Sequence, residues 1–243
     1  MSTVSIVIPM RNEAENIGPL VADIATACAG LDDFEIIVVD DGSTDDTAAR
    51  GIALGPDFPM LRVIRHKESG GQSAAVHTGV RAANGDIICT LDGDGQNPPD
   101  QLPKLFEPLL ADKTGRLGLV AGQRVARQDT LSKRWASKFA NGLRRWLLGD
   151  GTRDTGCGLK GFRRDIFLTL PYFDHMHRYL PALFKRDGWQ IKLVDVTHRE
   201  RQAGRSNYNN LQRGIVGLYD LIGVAWLIRR RKKAAILDID ADE

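Results

Sequence analysis

The sequence predicts an α/β fold, a mostly parallel central sheet with helices on both faces. Three observations carry that expectation. Short β-rich runs alternate with helical patterns through the first half of the chain. Two of the runs, residues 34–39 and 86–91, are apolar nearly throughout, as strands covered on both faces are. Aspartates cluster at the ends of those same two runs, where open α/β sheets place their ligands.

Taken in order, residues 4–8 (Val-Ser-Ile-Val-Ile) form the first strand, and a helix is expected over 14–28. Strand 34–39 follows, then a helix over 45–54 that Ser43 or Thr44 caps. Strand 61–64 leads to a helix over 72–83, closed by Gly85, and to strand 86–91. Beyond these the pattern gives a helix near 99–111, a strand at 117–122, a basic helix at 131–148 and a strand at 157–163. A helix at 178–187, a strand at 190–197 and a last helical stretch at 211–230 complete the chain. With no repeat or low-complexity linker, the expected organisation is one domain over 1–210 and a C-terminal arm over 211–243, an apolar helix with a charged tail.

Composition narrows the function classes. At 243 residues, with 42% hydrophobic and 26% charged side chains, the chain can build a core without staples. Its three cysteines, Cys28, Cys89 and Cys157, stand too far apart for a disulfide framework or zinc knuckle. The first residues carry no basic segment followed by a long apolar run, so a cytoplasmic placement is expected. The net charge of +2 conceals an asymmetry: residues 1–112 hold 7 Lys/Arg and 18 Asp/Glu, and residues 113–243 hold 26 and 13. An acidic half suits metal and nucleotide; a basic half suits phosphate or anionic lipid.

Two acidic clusters sit where ligands belong. Asp40 and Asp41 end the second strand, and Asp92-Gly-Asp94-Gly-Gln96 follows the fourth. Residues two apart in extended chain face the same way, so Asp92 and Asp94 converge on one cation while Gly93 and Gly95 let the backbone turn. Together with the amide oxygen of Gln96 they form a hard-oxygen set suited to Mg²⁺ or Mn²⁺, completed by substrate phosphates and water. Adjacent Asp40 and Asp41 point apart, one toward a base or ribose and the other toward the surroundings of the metal.

Pro9-Met-Arg-Asn12-Glu13, Val39-Asp40-Asp41-Gly-Ser-Thr44-Asp45 and Leu91-Asp92-Gly-Asp94-Gly-Gln96-Asn-Pro-Pro99 resemble the family-2 glycosyltransferases of the GT-A fold. The Gln followed by Pro-Pro, with Gly70-Gly-Gln-Ser-Ala-Ala-Val-His-Thr-Gly79, is similar to the dolichyl- and polyprenyl-phosphate sugar (mannose-type) synthases within that family. The resemblance spans roughly residues 3–210. It implies a GT-A nucleotide-diphospho-sugar transferase fold and a donor site built from Pro9, Asn12, Glu13, Asp40, Asp41, Gly71, Gln72 and Asp92. It also implies a divalent cation held by Asp92, Asp94 and Gln96 on a GDP- or UDP-linked sugar.

The basic half supplies cations for phosphates. Seven Lys/Arg and one acid lie between 124 and 148. Arg124 and Arg134 resemble the family's donor-phosphate and acceptor-phosphate contacts; Lys138, Arg144 and Arg145 are expected on a solvated face. Arg201, Gly204, Ser206 and Tyr208 match a family loop in which Asn207 replaces the usual Lys, so Arg201 and Ser206 join Arg134 at the acceptor phosphate. With Asp94, the arginines 124, 134 and 201 make up the expected catalytic set. Asp154 is expected to be structural or at the acceptor site, and the histidines to be packing or surface groups, with His177 near the acceptor.

A lipid monophosphate is already anionic and needs no carboxylate base, whereas a sugar hydroxyl does. The Glu-Asp pair and Gln-x-x-Arg-Trp segment of related hydroxyl-using transferases are absent from the sequence. The expected reaction is therefore a single inverting displacement onto a polyprenyl phosphate at the cytoplasmic face of the cell membrane. A saccharide acceptor and a non-catalytic sugar-nucleotide-binding protein are the alternatives. Residues 214–228 are apolar around Asp220 and precede five cations, Arg229-Arg-Arg-Lys-Lys233. Fifteen residues are short of the roughly 20 that span a bilayer, so the arm is expected to lie peripherally on a membrane surface. No nucleic-acid module appears, and a homo-oligomer is compatible with the sequence.

Overall fold

A computed structural model of the chain describes residues 3–125, 142, 144, 147–199 and 210–231, with side chains from 216 onward in the last stretch. Seven strands form one sheet in the order β3-β2-β1-β4-β6-β5-β7. They are β1 (Val4–Met10), β2 (Phe34–Asp40), β3 (Leu61–Arg65), β4 (Ile87–Thr90), β5 (Leu117–Arg124), β6 (Lys160–Arg163) and β7 (Gln190–Val196). All neighbours pair in parallel except β6, which runs against both β4 and β5.

The apolar character of the early strands has a direct cause. Along β1, Ile6 and Ile8 enter one core with Ile36, Val38 and Cys89, while Val7 enters the other with Ile37, Val39 and Ile88. Alternate side chains point to opposite faces, and both faces are covered, so most positions are apolar and buried Ser5 is satisfied by its bond to Glu35. Helices α1 (Ile17–Ala27), α2 (Thr47–Ala53) and α4 (Pro103–Leu110) lie with the Ile6 core; α3 (Gln72–Ala82), α5 (Arg164–Thr169), α6 (Leu180–Arg186) and part of α7 (Asn210–Arg229) lie with the Val7 core.

Three departures from the sequence expectations follow from context. The strand expected over 157–163 is only Lys160–Arg163, because residues 157–159 form the loop that reaches the cleft. The short helix α5 was not expected; Ile166 and Phe167 anchor it in the Val7 core, which outweighs its length. Arg144, expected on a solvated face, is buried and bonded to the carboxylate of Asp150. Helix α7 packs on the domain, with Leu221, Val224 and Ala225 buried in the Val7 core.

Candidate active site

The carboxyl ends of β1, β2 and β4 converge, and the loops beyond them build a cleft. The Asp92-Gly-Asp94 turn leaves β4 across the end of β1. A methyl group on Gly93 would stand 2.6 Å from Met10 Cγ and 3.0 Å from the Pro9 carbonyl oxygen, so only glycine lets the turn lie there. Asp92 is held from two sides: Gln72 Nε2 donates to Oδ1 (2.7 Å) and Asn97 Nδ2 to Oδ2 (3.0 Å). Asp94 Oδ1 accepts the Gln96 N–H (3.2 Å), and the Gln96 carbonyl accepts the Arg199 N–H (2.9 Å). Gln96 thus closes the turn through its main chain.

Strand β6 carries cations to the same place. Its antiparallel register sets Lys160 opposite Thr90, two residues before Asp92. Lys160 is 4% exposed and its ammonium donates to the Cys157 carbonyl. Burial pushes its pKa down against the pull of Cys157 and Asp92. Burial also raises the Asp92 carboxyl, the charge of Asp94 adds to that rise, and Lys160, Asn97 and Arg124 oppose it. Arg124, at the end of β5, forms a bidentate pair with Asp154, Nε–Oδ2 2.5 Å and Nη2–Oδ1 2.9 Å. His177 lines the cleft with Gln72, Asp92 and Lys160, its Nδ1 2.7 Å from Ser73 Oγ. Burial, then the charges of Lys160, Arg178 and His175, hold its pKa well below the usual imidazole range, so it is neutral at neutral pH.

The two aspartates after β2 do point apart. Buried Asp40 accepts the Ser43 N–H (3.0 Å) and lies 3.2 Å from Arg65 Nε. Asp41 turns under the loop before α3, accepting from Ser69 Oγ (2.7 Å), Gly70 N (2.8 Å) and Gly71 N (2.9 Å), with His66 Nδ1 at 2.8 Å. Gly71, at φ 86°, then opens α3 and presents Gln72 to Asp92. After β1, Asn12 (φ 56°) accepts the Thr44 N–H (2.8 Å) and donates its own N–H to Ser43 (2.9 Å), while the Glu13 N–H donates to Thr47 Oγ1 (2.9 Å). Pro9 lines the cleft directly.

Asp41 therefore fastens the loop, which gives an expected result. Burial raises its carboxyl, but Ser69, Gly70, His66 and Gly71 together outweigh that and hold it below the ordinary 3.8. A depressed carboxyl contributes stability that is present above the unfolded value and is lost as pH falls through the folded one. Asp41→Asn turns an amide NH₂ toward groups that are themselves donors, so it should cost about 1–3 kcal/mol at neutral pH. Thermal melts between pH 6 and 3 should show the gap between wild type and variant closing as the medium becomes acid.

The residues thus gathered are Pro9, Asp92, Asp94, Gln96, Gln72, Gly71 and Arg124, with Asn12, Glu13, Asp40 and Asp41 shaping the adjoining loops. Arg134, Arg201 and Ser206 lie outside the described residues. Sequence inspection missed Lys160, Gly158 and Asn97. A lysine inside Leu159-Lys-Gly-Phe162 was the one signal for the first, since an unpaired lysine is otherwise rare in a buried strand.

Among the described residues, no group of three or more His, Cys, Asp or Glu is placed to hold a metal alone. The site fits a divalent cation of another kind. The charge of Asp94 makes buried Asp92 harder to ionise, and a hard cation shared between two carboxylates and a donor's phosphate oxygens relieves it.

The model of glycosyl transferase family 2 matches residues 5–170. An undecaprenyl-phosphate 4-deoxy-4-formamido-L-arabinose transferase of Sodalis glossinidius is 34% identical over 222 residues, covering 90% of this chain and 66% of its own. A dodecaprenyl-phosphate galacturonate synthase of Rhizobium johnstonii is 33% identical over 237 residues, covering 94% and 68%. The chain thus spans about two thirds of the length of these relatives. Among solved structures, mannosyl-3-phosphoglycerate synthase of Rubrobacter xylanophilus superposes with a TM-score of 0.74 at 19% identity, covering 98% of this chain and 78% of that one. Glucosyl-3-phosphoglycerate synthase of Mycobacterium tuberculosis with Mn²⁺, UDP-glucose and glycerol 3-phosphate gives 0.69 at 24%, covering 93% and 80%. The fold is GT-A.

Proposed function

Because the chain belongs to glycosyl transferase family 2, we propose that it transfers a sugar from a nucleoside diphosphate, UDP- or GDP-linked, to a polyprenyl phosphate at a membrane surface. The observation that carries this reading is the Asp92–Asp94 pair beyond β4, with Asp92 fixed by Gln72 and Asn97 and close to the charge of Lys160. The names of the undecaprenyl- and dodecaprenyl-phosphate relatives support the acceptor class.

A Mg²⁺ or Mn²⁺ ion held by Asp92 and Asp94, with Gln96 adjoining, would supply Lewis-acid neutralisation of the departing diphosphate. The structure of a fold relative with Mn²⁺ and UDP-glucose supports that pairing of ion and donor. The chain's own groups do the rest. Gln72 and Asn97 orient Asp92, Lys160 and Arg124 add positive charge beside the leaving group, and neutral His177 closes one wall. An oxygen of the lipid phosphate attacks the anomeric carbon as the bond to the nucleoside diphosphate breaks, with inversion. No proton needs removing, so no general base is required.

Helix α7 supports the membrane placement. No helix among the described residues is long and apolar enough to cross a bilayer. Yet Tyr219, Ile222 and Trp226 are 58–75% exposed on the side away from buried Leu221, Val224 and Ala225, and exposed arginines 229–231 follow. An apolar stripe ending in cations suits the plane of an anionic bilayer. Replacing Tyr219, Ile222 and Trp226 together by Ser should reduce vesicle binding about tenfold or more in flotation assays.

Product mass spectrometry tests the reaction itself. Nucleotide sugars are incubated with Mn²⁺ and either a polyprenyl phosphate or saccharide acceptors. A glycosylated lipid phosphate is expected; transfer only to a saccharide would replace the acceptor, and no transfer to either would sink the enzymatic reading.

A further inference from the structure

Away from the cleft, an open groove of about 520 Å³ lies between α6, α7 and the segment ending at Gly149. Leu148 and Ile228 form its apolar floor, and Lys185, Arg186, Arg229 and Arg231 line it without one carboxylate among the lining residues. Part of this charge is already anchored to backbone: Lys185 Nζ donates to the Gly149 carbonyl (2.5 Å) and Arg231 Nη1 to that of Arg186 (2.9 Å). Arg186 is different. Its side chain is 15% exposed, Nε is ion-paired with Asp187 at 3.4 Å, and among the described residues neither Nε nor Nη1 has a hydrogen-bond partner. A shielded guanidinium with unmade hydrogen bonds is costly, and an anion that reaches its fork removes that cost.

We propose that this groove binds the phosphate headgroup of an anionic phospholipid, distinct from the acceptor that enters the cleft. Three features select that occupant. Four cations around an apolar floor match a phosphate attached to an acyl chain better than a free ion, which has nothing to place on Leu148 and Ile228. The groove continues the exposed stripe of α7, since Arg229 lies one turn beyond Trp226 on the same helix. The volume also suits a headgroup, falling within the roughly 300–1,000 Å³ of small-molecule sites. Substrate chemistry belongs elsewhere: the acceptor must reach the sugar beside Asp92, and that cleft is walled by Leu180 at the opposite end of α6. Over the six residues from Leu180 to Arg186 the helix rises about 9 Å, so a lipid held at one end positions the other end relative to the bilayer.

This proposal rests on the membrane placement given above, and its test separates the two. The full chain is titrated with soluble dihexanoyl phosphatidylglycerol and floated with phosphatidylcholine vesicles with and without phosphatidylglycerol. Arg229→Gln and Arg186→Gln should each weaken binding of the soluble lipid about fivefold or more. Arg230→Gln, an exposed neighbour that does not line the groove, should change it less than twofold. Equal losses in all three variants, no loss in any, or inorganic phosphate binding as well as the lipid would each overturn the groove. Should Arg186→Gln fail to fold, the exposed pair Arg229→Gln and Arg230→Gln still decides. Failure of every vesicle to bind would count against the membrane placement while the soluble titration still reads the groove.

Discussion

Asp94→Ala should lower kcat/KM for sugar transfer by about 10³-fold or more without weakening the fold. The two halves of this expectation share one cause. Asp92 and Asp94 are like charges beyond one strand, and the charge of Asp94 makes buried Asp92 harder to ionise. Deleting Asp94 relieves that repulsion but gives up the bond from the Gln96 N–H, so thermal stability without metal should change little. The same deletion leaves a divalent ion with Asp92 alone, whose oxygens already accept from Gln72 and Asn97. Mn²⁺ should therefore raise the melting temperature of the wild type and not of the variant, because an ion stabilises only a folded state that binds it. Asp94→Asn keeps the shape and one oxygen and should fall between. Initial rates at saturating Mn²⁺ and donor decide the matter, and turnover within tenfold of wild type would remove Asp94 from the catalytic set.

What the sequence made legible here was local. The strands could be found because burial on both faces demands unbroken apolar runs, and the two aspartate clusters because they terminate such runs. Even the divergence of Asp40 and Asp41 follows from adjacency. What stayed hidden was long-range. The antiparallel insertion of β6 between β4 and β5 brings Lys160 opposite Thr90 and Arg124 against Asp154, pairs 70 and 30 residues apart in the chain. Nothing in the local pattern of a four-residue strand reveals its direction or its neighbours. Arg124 was expected at the donor phosphate; the structure adds that Asp154 aims it. Arg144 was misplaced for a different reason: its buried partner Asp150, only six residues on, lies beyond the end of the periodic pattern.

The second large effect is expected at a residue with no side chain. Gly158→Ala should lower kcat about 10²-fold and weaken metal-dependent stabilisation, because a Cβ there would stand 2.4–2.5 Å from all three atoms of the Asp92 carboxylate group. Neither partner can yield cheaply. Thr90 Oγ1 donates to the Gly158 carbonyl (2.8 Å), and β4 and β6 are paired alongside, so the loop is fixed to the strand that carries Asp92. The carboxylate must rotate instead, losing the amides of Gln72 and Asn97, hydrogen bonds to a charged group worth roughly 1.5–3 kcal/mol each before any regained from water. Gly156→Ala supplies the comparison within the same loop. Its Cβ would meet Arg124 Nη2 at 3.2 Å and Asp154 Oδ1 at 3.6 Å, contacts a flexible side chain can absorb, so a change of only a few fold is expected. If the two alanine variants lose activity equally, the loop is merely sensitive to bulk; if only Gly158→Ala loses it, the position of the Asp92 carboxylate is what the loop exists to protect.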